Sequence, residues 1–164
     1  MKLFGIALVF LAFVFGGAAL ARKYISVLEG VERAEKLVAA FADGVRREHG
    51  TMEEILRSVL ETDDKTDYFI NDVLKNSAGK RIVLKKGTAA ETGFCSDEFA
   101  NKLLFEAFNI FGKTDAAEQA LYLEHIRSSL CKRHEQLAKP TYERAKLARS
   151  FGVIAGFLAA VILI

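Results

Sequence analysis

Two runs free of charged side chains, residues 3–21 and 151–164, bracket a sequence that otherwise mixes apolar and polar positions at helical spacing. After the first run, Val27, Val31, Ala34, Val38, Phe41 and Val45 recur every three or four positions. They share one face of a helix that continues out of the apolar run, and Gly50 suits its end. Thr51-Met52-Glu53-Glu54 predicts a capping box, hydroxyl and carboxylate each satisfying a first-turn amide. It opens a short helix with Met52, Ile55, Leu56 and Val59 inward. A further helix is expected to begin near Thr66, with Phe69, Ile70, Val73 and Leu74 as its apolar side. Ser96 reads as the N-cap of the next, ahead of Asp97 and Glu98, which favour the positive end of a helix dipole. Phe99, Leu103, Leu104, Ala107, Phe108 and Phe111 form its face, and Gly112 stops it. The last helix starts at Asp115, with Glu118 at its third position and Leu123, Ile126, Leu130 and Leu137 inward. Pro140 predicts a kink or interruption there. Ile82-Val83-Leu84 has no second strand to pair with, so a loop or helical turn is expected. The expected fold is therefore all-α: a helical domain over residues 22–149, flanked by apolar helices at 1–21 and 150–164.

The apolar ends read as membrane helices. Residues 3–21 as a helix reach about 28 Å, one bilayer core. A cleaved signal peptide is the rival reading, since Lys2 is a positive start and Ala19-Leu20-Ala21 resembles a cleavage site. Against it stand the length of the apolar run and Arg22-Lys23 directly after it, which oppose export of the downstream chain. The final run is short for a crossing, but the approaching helix extends it, with Lys146 and Arg149 able to snorkel towards water. Its residues 151–164 have no polar face, unlike a buried amphipathic helix.

Charge gives an orientation. All but one of the 23 Lys and Arg, and all 21 Asp and Glu, lie between Arg22 and Arg149, the exception being Lys2. The positive-inside rule then puts the middle domain in the cytoplasm and both chain ends outside, with the spans as antiparallel neighbours. Small residues suggest how they meet: Gly152, Gly156 and Ala160 line one face of the second span, Ala12 and Gly16 one face of the first. Lys80, Arg81, Lys85 and Lys86 form the one local basic cluster, a solvated loop or a contact for lipid headgroups or an acidic partner. The balance of the middle segment gives no footprint for nucleic acid.

Catalytic and cofactor motifs are not found. Gly79-Lys80 fails the phosphate-loop pattern at Leu74 and Arg81. His49, His125 and His134 lack metal-ligand spacing, and Cys95 and Cys131 match no zinc or redox pattern. Cys131 and His134 share a helix face without a third orienting group. No enzyme activity and no cofactor are expected.

The segment FGKTDAAEQ, residues 111–119, resembles the Leu-Gly-x-Ser-Asp-x-x-x-Gln signature of the stage III sporulation protein AB family. RSFGVIAG, residues 149–156, is similar to that family's Lys-Ser-Leu-Gly-x-x-x-Gly entry into its last membrane helix. Gly112, Asp115, Gln119, Ser150, Gly152 and Gly156 carry the resemblance, with Phe111 and Thr114 as conservative replacements. Pro140 and the stretch 80–93 depart from the family pattern. The resemblance implies a subunit of the channel that endospore-forming bacteria build between mother cell and forespore, in the mother-cell membrane. It implies a soluble part similar to the cytoplasmic domain of the F-type platform protein of type II secretion. The expected partners are the sporulation ATPase, stage III sporulation protein AA, and other channel subunits, with oligomerisation inside the complex. The alternatives are a membrane-anchored adaptor or sensor binding one soluble partner, and an envelope enzyme exported through a cleaved signal.

Overall fold

The computed structural model describes residues 2–47, 51–60, 63–77, 82, 84, 85, 87–110, 113 and 115–163. Their secondary structure is helical, with no strand among the described residues: α1 (Lys2–Arg46), α2 (Met52–Ser58), α3 (Asp64–Ser77), α4 (Thr88–Glu91), α5 (Glu98–Ile110) and α6 (Ala116–Leu163). The chain divides into two compact units, one of Met1–Leu28 with Gln136–Ile164 and one of Glu29–Glu135. Helices α1 and α6 each join apolar and charged sequence without a break.

The unit Glu29–Glu135 is a helical domain around an aromatic core. Phe69 stacks on Phe94 with ring centroids 4.3 Å apart, and Phe108 meets Phe41 edge-on at 5.0 Å. Leu37, Leu56, Leu104, Ile126 and Leu130 are fully enclosed around the rings. Such T-shaped and offset pairs add about 0.5–1.5 kcal/mol each to the burial of the rings. The capping box at α2 forms as expected: the Thr51 amide donates to Glu54 Oε2 at 2.8 Å, and the Glu54 amide donates to Thr51 Oγ1 at 3.3 Å. Asp63 caps α3, which starts at Asp64, two residues before the expected start near Thr66, and accepts from the Lys65 amide and the Thr66 hydroxyl at 2.9 and 3.0 Å. Its two oxygens leave Thr66 inside the first turn, where the threonine is buried.

Residues 82, 84 and 85 are irregular, and the single turn of α4 comes next. Gly87, at φ 100°, leads into that turn and Gly93, at φ 70°, leaves it, both in the left-handed region that side chains disfavour. The Cys95 amide then donates to the Ala89 carbonyl at 2.9 Å, folding the segment back onto the turn. Its neighbour on α1 is Gly30, where a methyl group would lie 3.0 Å from Cys95 Cα and 3.2 Å from the Phe94 carbonyl oxygen.

Two expectations are corrected in this domain. The residue capping α5 is Asp97, whose Oδ1 accepts from the Ala100 amide at 2.9 Å, one position later than Ser96. Phe99, expected inward, is 46 % exposed, because the buried face of α5 centres on Ala100, Leu104, Ala107 and Phe108, and Phe99 lies about 100° round from Ala100. The Arg133 guanidinium lies over its ring, 5.8 Å from the centroid.

The second unit pairs the apolar ends. Ala21 and Leu28 of α1, and Thr141, Ala145, Gly152 and Gly156 of α6, are its buried positions. Around them Phe4, Leu8, Phe15, Phe151, Phe157 and Ile162 are exposed. Of the kink or interruption expected at Pro140, the interruption does not occur: α6 runs through it. A ring at that position removes one amide donor, the bond owed to the carbonyl four residues earlier, while the turns on either side keep theirs.

Candidate functional site

Within the apolar pair, the closest approach is backbone to backbone. A methyl group on Gly17 would sit 2.7 Å from the Ala148 carbonyl oxygen and 3.0 Å from Gly152 Cα. One on Gly152 would sit 2.8 Å from the Phe13 carbonyl oxygen and 3.0 Å from Gly17 Cα. Gly156 faces Phe10, whose ring carbon Cδ2 and carbonyl oxygen lie 3.0 and 3.2 Å from where its Cβ would be. As α1 numbers rise, the facing α6 numbers fall, so the pair is antiparallel. Contacts this short demand glycine, and in lipid they supply the packing that no hydrophobic drive between helices provides.

The small residues named from sequence divide accordingly. Gly152 and Gly156 are buried at the contact and Ala160 is half-buried. Ala12 and Gly16 are exposed, and nothing lies within 4 Å of a methyl group placed on Gly16. The glycine at the contact on α1 is Gly17, which the sequence pattern did not single out. Its signal was the stripe Phe10, Phe13, Gly17 and Ala21, one helical step away from the stripe of Ala12 and Gly16.

In the helical domain, two arginines fasten the segment between α4 and α5. Arg33 Nε donates to the Phe94 carbonyl at 3.0 Å, lies 3.7 Å from Asp63 Oδ2, and has its guanidinium carbon 5.9 Å from the Phe94 ring centroid. Arg133 approaches Asp97 side-on, Nη2 donating to Oδ2 at 2.8 Å and Nε reaching both oxygens at 3.3 Å. Burial alone would raise the Asp97 pKa, but the Arg133 and Ala100 hydrogen bonds outweigh it and hold the carboxyl below its ordinary value. Asp63 is held low in the same way, its burial outweighed by the Lys65 amide, the Thr66 hydroxyl and the Arg33 charge. Burial pushes the Cys95 thiol up to about 11, leaving it protonated and unreactive near neutral pH. Neither arginine was named from sequence, since each partner lies dozens of positions away and arginines are common on helix surfaces.

The remaining sequence candidates are dispersed. Asp115 and Ser150 are exposed, whereas Gln119 is buried, its backbone N–H donating to the Asp115 backbone carbonyl at 2.9 Å. Lys85 is exposed. Gly112, Lys80, Arg81 and Lys86 lie outside the described residues. Among the described residues no cluster of His, Cys, Asp or Glu could hold a metal ion.

These features define a class first: an all-helical protein with two helices long and apolar enough to cross a membrane, which fits membrane localisation. The sequence profile of stage III sporulation protein AB matches residues 2–164, and the chain belongs to that family. Membership carries a role in sporulation. No curated protein and no solved structure matches it.

Proposed function

We propose that the chain is a non-enzymatic platform subunit of the channel between mother cell and forespore. In this reading α1 and α6 anchor it in the mother-cell membrane, and the domain Glu29–Glu135 faces the mother-cell cytoplasm, docking the sporulation ATPase, stage III sporulation protein AA. The observation that carries the reading is the antiparallel pair of apolar helices meeting through glycine backbones, in a chain whose charged residues lie almost entirely between them. An antiparallel pair brings the chain back to the side it left, so both boundaries of the charged segment share one membrane face. The surplus of Arg and Lys at those boundaries supports a cytoplasmic position for that face.

The domain offers exposed apolar side chains suited to a protein partner, among them Tyr68, Phe99 and Leu121. The test is co-purification of the ATPase with the full chain and with Phe99→Glu and Leu121→Glu variants of unchanged helicity. Loss of the ATPase from either variant supports docking. Undiminished recovery across substitutions covering the whole domain surface contradicts it and favours an adaptor with another partner.

A further inference from the structure

Because Gly17, and not Gly16, lies at the helix contact, the Gly16 face is left open. Beside it runs a groove of about 660 Å³ between α1 and α6, extending from Ala12 and Ala155 past Gly16 and Leu147 to Tyr24 and Arg144. From Ala12 to Tyr24 the helix rise gives it a length of about 18 Å. Its walls are apolar for most of that distance, and its polar groups, Tyr24 and Arg144, gather at one end. Arg144 has no hydrogen bond or ion pair among the described residues. Arg22, Lys23, Lys146 and Arg149 surround that end in sequence, with Glu143 as the one acid in 22–24 and 142–149.

We infer that this groove holds one anionic phospholipid, an acyl chain lying along the Gly16 face and the headgroup phosphate at Arg144 and Tyr24. The inference rests on the membrane reading above. An open apolar slot in a bilayer is filled by lipid or by protein, and the charge distribution decides between them. A guanidinium at the water-facing end matches a phosphate in charge and in its forked geometry, and every leaflet supplies phosphates at that depth. A partner helix in the slot would have to bring its own acid to the same level. Basic pockets between membrane helices on the cytoplasmic side are recurrent sites for anionic headgroups. Gly16 is then the residue that keeps the slot open.

The test uses the full chain extracted in mild detergent from vesicles of equal phosphatidylglycerol and phosphatidylcholine, with bound lipid read by native mass spectrometry. The wild type is expected to retain one phosphatidylglycerol per chain. Arg144→Gln should lower the preference for phosphatidylglycerol over phosphatidylcholine by about fivefold, one basic residue's share of the attraction. Gly16→Leu fills the slot from a position whose Cβ meets nothing within 4 Å, and should lose the retained lipid of either kind while keeping the helicity of the wild type. A wild type that retains no lipid, or variants that retain it undiminished, would overturn the inference while leaving the membrane reading intact. So would cross-linking that places a second copy's helix against Gly16. A chain released from vesicles by alkaline carbonate would remove the membrane reading and this inference together.

Discussion

Asp97 accepts from the Ala100 amide and from the Arg133 guanidinium with one nearly buried carboxylate. The two roles separate by substitution. Asn retains the capping oxygen but not the charge, so Asp97→Asn should cost about 1–2 kcal/mol, whereas Asp97→Ala loses both and should cost about 2–4 kcal/mol. Chemical denaturation of the detergent-solubilised chain reads both. The pH dependence comes from the depressed folded pKa. Its contribution is complete above the ordinary aspartate value, near 3.9, and disappears as pH falls through the lower folded value. The stability gap between wild type and Asp97→Asn should therefore be constant at neutral pH and narrow below about pH 4. At Gly17 the prediction is steric. Gly17→Ala drives a methyl group into the Ala148 carbonyl and should cost about 1–3 kcal/mol, while Gly16→Ala meets open space and should be neutral or slightly stabilising. Equal effects in thermal melts would contradict the assigned contact. Such distinctions escaped the sequence because a step of one residue turns a helix by about 100°, and composition alone does not choose between adjacent glycines.

Helices, by contrast, were largely legible. The Thr51 capping box, Val31, Ala34, Val38 and Phe41 of the first stripe, and Leu123, Ile126 and Leu130 of the last are local or periodic signals that the structure has, while Val27 and Val45 at the ends of the stripe and Leu137 are half-buried. Ser96 was misplaced because two potential caps stand in succession, and Phe99 because an apolar side chain one step, about 100°, from Ala100 reads as part of the same face. Phe94 and Arg33 carried no periodic signal, because the segment between α4 and α5 is ordered by tertiary contacts: a backbone hydrogen bond to Ala89, the arginine and the Phe69 ring. Phe94→Ala should accordingly cost about 3–5 kcal/mol and expose the segment to proteolysis. Pro140 is the converse case: the helix continues through a residue that locally favours a break. Replacing it restores an amide donor, and Pro140→Ala should slow amide hydrogen exchange around residue 140 and raise helix stability by up to about 3 kcal/mol. Unchanged exchange would mean that the carbonyl left over at Gln136 already has a partner.

At the scale of the molecule, the two apolar ends and the all-helical middle were visible in the distribution of charge, and the family signature in the order of its few residues. The helix pair's contact and the groove beside it depended on backbone geometry. The central claim is that the helical domain stands in the cytoplasm between two membrane crossings, where an ATPase could reach it. Topology tests it most directly. With Cys95→Ser and Cys131→Ser removing the native thiols, Lys102→Cys supplies one exposed thiol in the domain. Intact protoplasts are treated with a membrane-impermeant maleimide. Labelling only after permeabilisation is the predicted result. Labelling of intact cells would place the domain outside and contradict the account.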